Sequence, residues 1–174
     1  MTTSPTESPA VASGDGKGKR RPDRPFLFAH PAHFLAFGFG AGLARKAPGT
    51  FGTLVAFPLY ALLAGAPLYW VWVALCLLVG VWACDVAGRA LGEHDHGGMV
   101  WDEIAAFLLV LPFAPVTWWG YALAFALFRL FDIWKPFPIA WFDARLRGGF
   151  GVMLDDVLAA GYAIVCLMGV SAWM

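Results

Sequence analysis

Four short segments hold the residue types that could handle a phosphorylated substrate. In HDHGGMVWDE, residues 94–103, Asp95 precedes Asp102 and Glu103 by seven and eight positions. On a single helix the three carboxylates would share a face and could ligate one hard cation, because such ions take oxygen ligands. A solvated loop running into a helix whose first turn favours acids explains the same pattern without chemistry. His94 and His96 suit hydrogen bonding, but an HxH pair with no third ligand at a known spacing is a weak zinc signal.

In FRLFDIWKPFPIAWFDARLRGG, residues 128–149, Arg129, Asp132 and Lys135 recur at three-residue steps at the end of an apolar run. Ionisable side chains beside a membrane helix are costly and mark a site by default. Cations among carboxylates suit a phosphate, whose oxygens divide between a metal and the charged donors. Snorkelling at the interface is the competing reading, strongest for Arg145 and Arg147. GGFGVMLDDVLAAG, residues 148–161, sets Asp155 and Asp156 just before the last apolar run. Adjacent acids diverge on a helix, so one is expected to face the site and the other to cap the helix. GFGAGLARKAPGTFGTL, residues 38–54, is Gly-rich. Backbone N–H groups around Pro48, Gly49, Thr50 and Gly52 could cradle a phosphate at a helix N-terminus. Close glycine packing between membrane helices is at least as frequent a cause.

The elements that must position these segments are apolar. Of 174 residues, 60% are hydrophobic and 14% charged, against roughly 25% charged in soluble chains. A soluble chain this short could not coat so large an apolar core, so the composition points to an integral membrane protein. Twelve basic and twelve acidic residues balance, which removes the argument for a nucleic-acid partner. Cys76, Cys84 and Cys166 form no CxxC pair and sit in or beside apolar runs; they read as small hydrophobes, without a disulfide framework.

Residues 1–30 read as a disordered cytoplasmic tail with a basic cluster, and 31–174 as the membrane-embedded domain. No charge occurs between Lys46 and Asp85, and APLY at 66–69 offers a turn, so a hairpin is expected with arms near 53–64 and 69–83. A second charge-free stretch, Ile104 to Phe128, is split by prolines at 112 and 115 into two short arms. Residues 157–174 can cross once. The expected fold is all-α, an integral membrane helical bundle of about five embedded helices. Two hairpins return the chain to the same side, leaving every charged residue on the cytoplasmic face, as the positive-inside rule favours. Phe128, Phe131, Trp134 and Trp141 would then border the site and suit lateral entry of a lipid.

Together, APGTFGT at 47–53, HDHGGMVWDE at 94–103, FRLFDIWKPFPI at 128–139 and GGFGVMLDD at 148–156 resemble the phosphatidylglycerophosphatase A family of bacterial membrane lipid phosphatases. The resemblance spans roughly residues 31–161. It implies Mg2+-dependent hydrolysis of phosphatidylglycerophosphate to phosphatidylglycerol in the cytoplasmic leaflet of the inner membrane. The expected catalytic residues are Asp95, Asp102, Glu103, Asp132 and Asp156, with Asp155 added as a metal ligand. Pro48, Gly49, Thr50, Gly52, Arg129 and Lys135 are the expected substrate contacts. A phosphatase for another lipid, such as phosphatidic acid, is the nearest alternative. No DxDx(T/V) nucleophile motif occurs, and Cys84 to Arg89 is one residue short of a cysteine-phosphatase loop. A small transporter is the rival from another class, but its ionisable groups should lie near the bilayer midplane in repeated halves, and no internal repeat is visible.

Overall fold

The computed structural model describes residues 22–173, which are helical and contain no strand. In chain order the helices are α1 (Arg24–Ala29), α2 (Pro31–Ala36), α3 (Pro48–Leu63), α4 (Tyr69–Leu91), α5 (Trp101–Val110), α6 (Trp118–Trp134), α7 (Ile139–Asp143) and α8 (Gly148–Trp173), with a 3₁₀ segment at Gly38–Leu43 between α2 and α3. Most of the expected tail, with its lysines, lies outside the described residues, but α1 occupies positions 24–29 within it, capped by the Asp23 side chain.

The chain turns where the sequence places the proline breaks, with shifted helix ends, but α3 and α4 pack on α5 rather than on each other. α3 begins at Pro48, where proline's missing N–H costs nothing and its fixed φ suits the first turn. α4 runs on past Asp85 to Leu91, because Arg89 pairs with Asp85 one turn earlier and Gly92 closes the helix at φ 73°. Pro112 ends α5 in a short 3₁₀ turn, and Thr117 restarts the chain by capping the Gly120 amide of α6 at 3.1 Å. By length and apolarity, α4 and α8 are the two described helices able to cross a membrane. α3, with 16 residues, and α5, with 10, are shorter.

α5 is the centre of the bundle. It packs against α3, α4, α6 and α8, and most of its residues are buried. Its neighbours approach on stripes of small residues, Gly49, Gly52 and Ala56 on α3 and Gly80, Ala83 and Ala87 on α4. Such stripes permit the close contact that drives helix association without a hydrophobic effect. Two apolar turns meet at one end of the bundle. Tyr69 Oη donates to Leu108 O at 2.6 Å, and the Trp70 and Phe113 rings lie 6.2 Å apart. The start of α3, the start of α5, the end of α6 and the start of α8 converge at the other end, where the polar residues are.

Candidate active site

Asp102 and Glu103 occupy the first turn of α5, whose register is pinned by the Val100 amide donating 2.8 Å to Ala36 O. Asp102 is buried and points inward. Asp155 and Asp156 are both buried on α8. They lie well inside that helix, because it starts at Gly148 rather than at residue 157. The expectation that one of them caps the helix is therefore corrected: both face the bundle. The charges acting on Asp156 are those of Asp102, Asp132, Glu103 and Asp155, so acids from α5, α6 and α8 meet in one centre. Asp95 does not share a helix face with Asp102 and Glu103. It sits exposed in the loop before α5, where two glycines keep the chain from continuing as helix, yet its charge still reaches Asp102, Glu103 and Asp155.

Two cations are held within this centre. Arg129 Nη1 donates to Glu103 Oε1 and to Asp132 Oδ2, each at 2.7 Å, with all three side chains mostly buried. Lys135 is the αL residue closing α6 (φ 44°) and bonds to Asp155 and, at 3.2 Å, to Asp143 Oδ1. Burial alone would lower the Lys135 pKa. The hydrogen bond and charge of Asp155, with the charge of Asp143, outweigh that and hold it above its ordinary value, so the ammonium stays charged. Asp143 was not singled out from sequence; its signal is a lone acid eight residues past Lys135, with two prolines between them that fold α7 back toward the lysine.

Acids outnumber these cations, and the surplus is visible atom by atom. Asp102 Oδ1, Glu103 Oε2, Asp155 Oδ1 and Asp156 Oδ2 are buried without a hydrogen-bond partner. Unpaired buried carboxylate oxygens are strongly disfavoured unless a cation or proton meets them. Oxygen-only donors of net negative charge fit a hard divalent ion such as Mg2+. Among the described residues, no three His, Cys, Asp or Glu side chains already stand as a closed metal cluster.

The Gly-rich entry to α3 lies directly against this centre. A Cβ on Gly49 would fall 1.9 Å from Glu103 Oε1 and 2.9 Å from Arg129 Nη1, and one on Gly52 would fall 3.0 Å from Glu103 Oε2. These glycines therefore let the α3 backbone close over the Glu103–Arg129 pair. The cradle is narrower than the sequence suggests, since the Thr50 amide donates to Ala47 O at 3.0 Å, Ala47 itself being left-handed at φ 47°. His96 Nδ1 accepts the Gly98 amide at 3.0 Å and so shapes the loop beside Asp95. Arg145 stacks over Trp141 and Arg147 lines a groove between α4 and α8, both away from the acids. Phe128, expected at the lipid boundary, is wholly buried against Phe107; Trp134 and Trp141 are exposed.

Comparison with known proteins gives the family. The family model for phosphatidylglycerophosphatase A matches residues 34–171. A Haemophilus influenzae protein named phosphatidylglycerophosphatase A is 44% identical over 160 residues, covering 90% of this chain and 98% of that one. The Escherichia coli K12 protein of the same name is 42% identical over 134 residues, 75% of this chain and 78% of its own. A Bacteroides thetaiotaomicron protein, provisionally named a phosphatidylinositol-3-phosphatase, is 40% identical over 150 residues, 80% and 92% of the two chains. No solved structure matches significantly. With most of its length matched by the family model and by two relatives of that name, the chain belongs to the phosphatidylglycerophosphatase A family.

Proposed function

We propose that the protein hydrolyses phosphatidylglycerophosphate to phosphatidylglycerol and inorganic phosphate, with Mg2+, at the cytoplasmic face of a bacterial inner membrane that its helices cross several times. The observation that carries the reading is the buried centre in which Arg129 and Lys135 stand among carboxylates whose remaining oxygens are unpaired. A phosphomonoester dianion needs cations to bind it and a carboxylate or a metal to deliver the attacking oxygen.

Asp102, Glu103, Asp132, Asp155 and Asp156, with Asp95 from the loop, are the residues that would hold Mg2+. Held there, such an ion would neutralise charge on the phosphoryl oxygens and act as a Lewis acid. Arg129 and Lys135 orient the phosphate oxygens and offset charge as it develops. Glu103 and Asp132 hold Arg129 in place from two sides, as Asp155 and Asp143 hold Lys135. The oxygen that attacks phosphorus comes from water or from one of these carboxylates. In the net reaction the bond from phosphorus to the terminal glycerol oxygen breaks and water supplies the new P–O bond; one of its protons ends on the leaving glycerol oxygen and the other stays with the released hydrogen phosphate. Phosphatase action on an inositol lipid is the second reading, favoured by the name of the Bacteroides relative.

The deciding assay measures phosphate release by purified protein from phosphatidylglycerophosphate, phosphatidic acid, a phosphoinositide and a soluble phosphoester, with Mg2+ and with chelator. Fastest release from phosphatidylglycerophosphate, abolished by chelation and restored by Mg2+, is expected. Faster release from the phosphoinositide would transfer the assignment to the second reading, and undiminished activity in chelator would remove the metal.

A further inference from the structure

Outside the acidic centre, a groove of about 1070 Å³ runs between α1, the 3₁₀ segment and the outer face of α3. Phe39, Phe51, Leu54 and Pro58 line it, and so do Arg24 and Arg45. Arg45 also lines a neighbouring cavity of about 310 Å³ together with Pro48, His96, Gly97 and Gly98. It is thus a shared wall between an apolar groove and the loop that carries Asp95. Gly42 seats this wall on the loop, since a Cβ there would fall 1.9 Å from Gly98 O. Neither Arg24 nor Arg45 makes an ion pair among the described residues, whereas Arg129 and Lys135 are both bound by carboxylates.

The substrate proposed above carries two phosphates of different chemistry. Its terminal monoester is removed, and its internal diester joins the two glycerols. Cations bracketed by acids suit the reacting monoester, while an unpaired cation at the head of an apolar groove complements a singly charged diester from which the acyl chains depart. Arg45 lies three residues before Pro48, at most about 11 Å of extended chain, and the next residue, Gly49, touches the Glu103–Arg129 pair. That bounds the separation of the Arg45 backbone from the reacting centre at a span that the long arginine side chain and one glycerol can bridge together. Resting on the functional reading above, we propose that Arg45, assisted by Arg24, holds the internal phosphodiester of the substrate while an acyl chain lies along the groove on α3. Arg45 is then the residue that separates phosphatidylglycerophosphate from phosphatidic acid, which has no such diester.

The test uses full-length protein in mixed micelles and two inhibitors that divide the substrate's chemistry. Phosphatidylglycerol carries only the diester; inorganic phosphate resembles only the monoester. Arg45→Ala is expected to raise the inhibition constant of phosphatidylglycerol and the KM for phosphatidylglycerophosphate about tenfold, the scale of a lost charge-assisted contact. The kcat, the inhibition constant of inorganic phosphate and the turnover of phosphatidic acid should stay within about twofold. Arg45→Lys should recover part of the loss, and Arg45→Gln, which keeps much of the stem, serves if the alanine variant folds poorly. Arg89→Ala removes a remote cation paired with Asp85 and should move none of these constants. Equal shifts for both inhibitors, no shift for either, or the same shift in Arg89→Ala would overturn the proposal while leaving the activity intact. Failure of the wild-type protein to release phosphate from phosphatidylglycerophosphate would instead overturn the functional reading, and this inference with it.

Discussion

Gly49→Ala tests whether the Glu103–Arg129 pair is the structural heart of the site. In a helix such a substitution ordinarily stabilises by about 0.5–1 kcal/mol, because glycine has the greater freedom to lose. Here the added methyl would lie 1.9 Å from Glu103 Oε1, and ordinary contact begins at 3.4 Å. The carboxylate must therefore move by more than an ångström. A shift away from α3 stretches or breaks its 2.7 Å bond to Arg129. Misplacing a catalytic group by about 1 Å costs about a hundredfold in rate. The expected result is a hundredfold loss of phosphate release in protein that still reaches the membrane and keeps its helical circular dichroism. Shortening the acid should relieve the clash, so Gly49→Ala/Glu103→Asp is expected to be no slower than Glu103→Asp alone. Gly161→Ala on α8, where a Cβ meets open space, supplies the ordinary helix effect for comparison. More than half of wild-type activity in Gly49→Ala would refute the reasoning.

Asp102→Asn and Asp132→Asn should each slow phosphate release by a hundred- to thousandfold, about 3 to 4 kcal/mol of transition-state stabilisation, and His94→Ala should do far less; equal damage from His94→Ala in well-inserted protein would displace the carboxylates from their central role. In a background without Cys76, Cys84 and Cys166, Gly97→Cys and Arg147→Cys should react with impermeant thiol reagents only from the cytoplasm and Val116→Cys only from outside, and external labelling at position 147 would break the one-sided arrangement. Glycerol phosphate without acyl chains should be hydrolysed at least about a hundredfold less efficiently than the lipid, as measured in the same micelles, and comparable efficiency would remove lateral entry.

The apolar runs and their proline breaks were readable because membrane spans and helix ends follow from local chemistry. Arg129, Asp132 and Lys135 were readable for the same reason, as charges that an apolar helix end does not need. Helix starts were harder to place. The expected arm ended near 83 and the last run began at 157, but Asp85 and Arg89 neutralise each other along α4, and Asp155 meets the lysine that closes α6. The pairing is local for Asp85 and tertiary for Asp155. Asp95 was misplaced in the opposite sense, its helical spacing to Asp102 being overridden by the glycines at 97 and 98. Asp143 carried only the weak signal of a lone acid eight residues past Lys135, because its pairing depends on how α7 folds back. For the glycines at 49 and 52 the sequence offered either an anion cradle or close helix packing, and the structure uses them as clearance for a side chain of another helix.

The ten residues of α5 span only about 15 Å, half of a hydrocarbon layer about 30 Å thick. In the proposed multi-pass arrangement, an apolar turn held at the far interface sets the acidic first turn of α5 below the level of the cytoplasmic headgroups. A lipid headgroup meeting Asp102 and Arg129 there has to sink below the level of its neighbours, and water must follow it. In that arrangement the short helix would thin the membrane locally, with the acidic site open to the cytoplasmic leaflet and an apolar plug closing the other. Mismatch of this kind carries an elastic cost that grows with bilayer thickness. The thickness and fluidity of the surrounding lipid would then act on the same reaction that helps to set the lipid composition.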